Sequence, residues 1–156
     1  MRGNTDSSAA PSRLAKAAAH FGLARANAAE WTDVEKANVK VVTDFLAARW
    51  GPDPLDFTKI GSFLADDCIR AARSTNFTRG RDAIIADLQR SNGDVLSREL
   101  KILQTAVIGP IVITERIENQ RMKGRDGGPP RDSGGHVVGF FEVRDGKIKE
   151  WRAFGF

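Results

Sequence analysis

Arg116 and Glu118 are the residues of this chain whose types and spacing can do chemistry. They lie two apart in the run Ile113-Thr114-Glu115-Arg116-Ile117-Glu118, which reads as a strand. Side chains at i and i+2 of a strand project from one face. A guanidinium and a carboxylate therefore stand side by side on a rigid element. The carboxylate can take a proton, and the permanently charged guanidinium can steady negative charge. The competing reading is an intra-strand ion pair on a solvated face. Gln120 shares that face, where it either orients a ligand or caps the polar edge of the strand.

Other chemistries are excluded by what is missing. A single cysteine, Cys68, rules out an intrachain disulfide and any multi-cysteine zinc site, and reads as a small buried hydrophobe. The two histidines, His20 and His136, and the Asp66-Asp67 pair lack metal-ligand spacing, so no metal or cofactor is expected. There is no tyrosine, so no phenol can hold a water or donate a proton. The net charge of +4 comes from scattered residues, and the basic group between Lys123 and Arg131 lies in a Gly/Pro-rich segment that reads as a solvated loop. A nucleic-acid partner is not expected. No apolar run is long enough to span a membrane. Met1 to Arg13 has no apolar core of a secretory signal. The cytoplasm is the expected compartment.

The elements that must position the pair follow from capping, periodicity and turns. Residues 1–29 read as a flexible tail with a helical extension from Ser12 to Ala29, and residues 30–156 as a single domain. Thr32-Asp33-Val34-Glu35 is a capping box, opening a helix to about Trp50 with Val34, Val41, Val42, Phe45 and Leu46 as its apolar stripe. Gly51-Pro52-Asp53-Pro54 stops it. A short helix is expected from Asp56 to Leu64, with Asp66-Asp67 near a helix end. A short strand is expected from Cys68 to Ala72, and a third helix after Gly80. Beyond Asn92-Gly93 the chain turns to strands at about 96–108, 111–122, 135–144 and 147–155, with a glycine-rich loop over 123–134. Gly109-Pro110 and Asp145-Gly146 supply tight turns.

Helices followed by antiparallel strands predict an α+β fold. A curved sheet closed by helices leaves a cone-like interior, the natural ligand site. Leu46, Phe63 and Trp50 read equally as pocket wall or as core. His136 is best read as a core or interface residue, though histidine is the best acid/base group available. Trp151 and Phe141 are candidates for contacts between copies on the outer face of the sheet, and a homodimer or homotrimer is expected.

Glu35 to Trp50, the helix start Gly80-Arg81-Asp82-Ala83, Thr114 to Glu118 and Gly139 to Arg152 together resemble the SnoaL-like, nuclear-transport-factor-2-like superfamily, and within it the limonene-1,2-epoxide hydrolases, over residues 33–156. The resemblance implies a cone-shaped, antiparallel or mixed sheet packed against N-terminal helices. The hydrolase pattern uses an Asp-Arg-Asp set with a Tyr and an Asn that hold the attacking water. By that resemblance Arg116 matches the arginine, and Glu118 takes the place of the first aspartate. Ala153 replaces the second aspartate, Arg70 the tyrosine and Ala72 the asparagine. Water-holding groups are thus replaced, and the site gains a cation.

Two guanidinium groups around one carboxylate suit proton abstraction with oxyanion stabilisation better than hydrolysis. Ketosteroid isomerases, scytalone dehydratase and diarylpropane lyases, which release formaldehyde from lignin-derived diols, resemble this scaffold. The expected function is a cofactor-independent lyase or isomerase acting on a small apolar or aromatic molecule. Glu118, Arg116 and Arg70 are its catalytic residues, and Gln120, Val137, Leu46, Phe63 and His136 its substrate contacts. The alternatives are an epoxide hydrolase with an altered water site and a non-catalytic binding or assembly module.

Overall fold

The structure, a computed structural model, describes residues 30–73 and 76–155. The elements are α1 (Asp33–Arg49), α2 (Phe57–Ser62), β1 (Leu64–Arg73), β2 (Asn76–Arg79), α3 (Arg81–Asn92), β3 (Val95–Ile108), β4 (Ile111–Met122), a 3-10 turn (Arg125–Gly127), β5 (Arg131–Arg144) and β6 (Lys147–Gly155). The expected helix over 12–29, with His20, lies outside the described residues, as does Phe156.

The capping box closes as its spacing predicts. The Thr32 hydroxyl accepts from the Glu35 N–H at 3.2 Å, and the Glu35 carboxylate accepts from the Thr32 N–H at 2.9 Å. The buried face of α1 runs Glu35, Asn38, Val42, Phe45, Leu46 and Arg49. Val34 is not part of it and is 68% exposed. The apolar stripe is shorter than its periodicity suggested, because polar side chains complete both ends.

The six strands form one curved, unclosed sheet in the order β2-β1-β6-β5-β4-β3. β1 runs parallel to β6 and every other pair is antiparallel. This is the cone-like α+β arrangement. α1 lies on the concave side, where Val42, Phe45 and Leu46 meet Val107, Val112, Phe141 and Trp151. Phe45 sits edge-on to Trp151, Phe141 and Phe63 at 5.1, 6.2 and 6.3 Å between ring centroids. Such contacts fix ring orientation beyond the simple burial of area. No helix is long and apolar enough to cross a membrane among the described residues.

Three local expectations are corrected. Asp66 and Asp67 stand within β1, a longer strand than expected, and pair with Arg81 of α3 and Lys149 of the neighbouring β6. β5 begins at Arg131, so strand replaces part of the expected loop. Gly134 and Gly135 adopt φ of 143° and 155°, a region open to glycine. A Cβ on Gly134 would lie 2.0 Å from the Glu118 carbonyl oxygen. The glycines thus let β5 approach β4 instead of ending the strand. Finally, Trp151 and Phe141 are buried in the core, 7% and 0% exposed, and cannot serve as outer-face contacts. They stack on each other at 6.3 Å.

Candidate active site

Strand β4 carries Thr114, Arg116, Glu118 and Gln120 on its concave face. Arg116 is fully buried. Its Nε donates to Glu118 Oε1 at 2.7 Å and its Nη1 to Thr114 Oγ1 at 2.6 Å. Its guanidinium lies 5.8 Å from the centroid of the Phe141 ring. Charge-assisted bonds of this kind hold both partners in one geometry. The space for this guanidinium comes from Gly139 on β5, where a Cβ would sit 2.1 Å from Arg116 Nη1.

Glu118 is the end of this chain of contacts that faces a cavity of about 460 Å³. Across the β4–β5 ladder it meets Gly135, so no side chain from β5 stands opposite it. Gln120, Val137, Arg70, Trp151 and Ala153 line the same cavity. The structure therefore brings Glu118, Arg70, Gln120 and Val137 together, with Arg116 behind Glu118. Ala153 leaves no carboxylate at its position, and the Ala72 side chain lies outside those described.

Arg70 faces inward because β1 pairs in parallel with β6, in the register that sets Arg70 against Trp151. The guanidinium carbon lies 5.0 Å from the centroid of the Trp151 ring. Burial pushes the Arg70 pKa down, against the opposing charges of Asp87 and Glu118.

Two of the remaining expected contacts, Leu46 and Phe63, are elsewhere. Leu46 is fully buried in the core, and Phe63 packs against that core edge-on to Phe45. Neither lines the cavity, because α1 turns Leu46 into the sheet. His136 reaches the cavity rim, but its Nε2 lies 2.9 Å from Glu115 Oε1. Glu115 neighbours Arg116 on β4, so its side chain occupies the opposite face of the sheet, and His136 follows it there.

Sequence reasoning missed Arg49, which lines the cavity from the last turn of α1. Its pKa is pushed down to about 10, by burial first and then by the positive charges of Arg70 and Arg98, with Glu118 opposing. The signal was present in the sequence: Arg49 falls three and seven residues after Leu46 and Val42, on the buried stripe. Trp50 beside it also lines the cavity.

Residues 36–155 match the family described as limonene-1,2-epoxide hydrolase catalytic domain. An LEH-like epoxide hydrolase of M. tuberculosis is similar at 29% identity and TM-score 0.64, covering 76% of this chain and 82% of that one. A protein of Jannaschia sp. CCS1 with the designation SnoaL-like polyketide cyclase shares the fold at 20% identity and TM-score 0.70, over 80% of this chain and 89% of that one. A protein of Catenulispora acidiphila DSM 44928 with a ketosteroid isomerase-like fold shares it at 17% identity and TM-score 0.62, over 74% and 84%. No curated protein matches this chain. The matched span, the cone-like sheet and the arginine-carboxylate pair on β4 agree, and the chain belongs to the limonene-1,2-epoxide hydrolase catalytic-domain family, on a SnoaL-like fold.

Proposed function

We propose that this chain is a cofactor-independent lyase or isomerase that abstracts a proton from a small, largely apolar or aromatic molecule. One observation carries the reading: a carboxylate on the cavity wall, held from behind by a fully buried guanidinium at 2.7 Å. The bond from Arg116 occupies Oε1 of Glu118, and Oε2 is then the oxygen that meets the substrate. Arg116 is a positioning residue here, and Arg70 supplies the positive charge for an oxyanion formed as the proton leaves. Ala153 offers no side-chain hydrogen bond to a water, which favours elimination or isomerisation over water attack.

On a diarylpropane diol the steps balance. Glu118 takes the primary hydroxyl proton, and the C–C bond to that carbon breaks as formaldehyde forms. The electron pair closes a C=C bond as the benzylic hydroxyl departs, and Glu118 returns its proton to give water. The products are a stilbene, formaldehyde and water.

Glu118→Gln keeps the shape and the acceptor for Arg116 but removes the base. Turnover, followed as formaldehyde or stilbene release, is expected to fall by about a hundredfold or more, with binding nearly unchanged. Normal turnover in this variant removes the assignment.

Family membership favours a second reading, epoxide hydrolysis with a rebuilt water site. Incubation with epoxides in isotopically labelled water decides it. A diol carrying the label supports hydrolysis, and its absence removes that option.

A further inference from the structure

The cavity holds more positive charge than the proposed chemistry consumes. Arg116 and Glu118 neutralise each other through their bond. Arg49 and Arg70 remain, both lining the cavity. Neither has a hydrogen-bonded carboxylate among the described residues. Arg49 is 9% exposed, and its Nε and Nη1 are buried with no partner; Arg70 Nε is buried and equally unpartnered. The indole N–H of Trp151, on the same wall, is a further buried donor without an acceptor.

Arg98 shows how this fold treats an arginine used for structure, leaving only its Nε buried without a partner. Its side chain is 2% exposed, and its guanidinium donates to the Gly51 carbonyl, to both Asp53 oxygens and to Asn92 Oδ1. Arg49 and Arg70 instead lie over indole rings, with the guanidinium carbon 5.6 Å from the Trp50 centroid and 5.0 Å from the Trp151 centroid. A ring face beside a guanidinium steadies it without accepting a hydrogen bond from its N–H edge. Buried donors without acceptors are costly, and an anion that accepts from them recovers that cost.

We infer that Arg49 and the Trp151 N–H form an anion subsite for a carboxylate carried by the substrate, with Arg70 left to the oxyanion. The inference rests on the proposed acid/base reading and narrows its substrate to a monocarboxylate with an apolar or aromatic body. Arg49 holds the carboxylate, and Arg70, which also feels the charge of Asp87, serves the oxyanion that develops beside Glu118. The indole walls of Trp50 and Trp151 suit the apolar body.

The test compares phenylacetate with its neutral isostere phenylacetamide, by calorimetry or tryptophan fluorescence on the full chain. Phenylacetate is expected to bind about tenfold tighter or more. Arg49→Met is expected to abolish that preference while leaving phenylacetamide unaffected. It is also expected to melt at the same or a higher temperature, since an unpaired buried charge is removed. Equal binding of the two probes, or an unchanged preference in Arg49→Met, overturns the subsite. A lower melting temperature in Arg49→Met with the preference retained assigns Arg49 to structure and overturns it also. The two readings fail separately. Probe preference with full turnover in Glu118→Gln removes the base and keeps the subsite. No preference with an inactive Glu118→Gln does the reverse.

Discussion

Glu118 owes its orientation to a side chain sealed inside the protein. Arg116 donates to it and to Thr114, and Gly139 leaves the volume the guanidinium occupies. Gly139→Ala therefore tests the arrangement without touching a charged group. Its methyl would fall 2.1 Å from Nη1, and the arginine would have to move. The expected cost is about 1–3 kcal/mol, read by urea titration, together with a loss of turnover greater than the loss of stability explains. Unchanged activity in a folded Gly139→Ala protein would show that the Arg116 geometry does not matter. The residue pair itself was legible in the sequence from spacing alone. Arg49 was not singled out, because a charged residue at the end of an apolar stripe reads as a helix end in water.

Helix α1 does more than cover the sheet. Glu35 and Asn38 hold the turn between β3 and β4. Glu35 Oε1 accepts from the Gly109 N–H at 3.1 Å, and Asn38 Nδ2 donates to the Gly109 carbonyl at 3.0 Å. The helix that delivers Arg49 to the cavity is thereby anchored at its other end to β4, the strand that delivers Glu118. Asn38→Ala leaves a carbonyl without its donor, at an expected cost of about 1–2 kcal/mol in thermal or urea unfolding. The proposed proton transfer, whose groups lie at the far end, should change little. A stability unchanged by the substitution would mean that water replaces the bond. The strands were read nearly to the residue where turns announce themselves: Asp145 and Gly146 take φ of 49° and 70°, as an Asp-Gly hairpin requires. β5 was cut short because Gly134-Gly135 reads as a loop, and only its pairing with β4 shows why glycine stands there.

Across the whole molecule, the core behind the cavity includes one ionisable sulfur. Cys68 is fully buried, and burial, with the Asp67 charge adding to it, pushes its thiol up to about 12. Between its ordinary value near 9 and that raised one, the unfolded chain has lost a proton that the folded chain keeps. Stability therefore falls as pH rises through this window. Urea midpoints measured upward from neutral pH are expected to drop above about pH 9, and Cys68→Ala to weaken that dependence. The folded protein should also resist thiol alkylation at neutral pH. Rapid modification without unfolding would contradict the burial.

The sequence by itself determined the class of the fold, the capped first helix, the strand ends marked by turns, and one acid-cation pair on one strand face. These are local matters, set by periodicity, capping and backbone preference within a few residues. Tertiary structure decided which face points inward, that His136 pairs with Glu115 at the cavity rim, that Leu46 and Phe63 fill the core, and that Arg49 reaches the cavity. Those outcomes depend on strand pairing and helix packing between segments distant in the chain. A one-residue change of register would reverse every side chain on a strand, so no local signal can settle them.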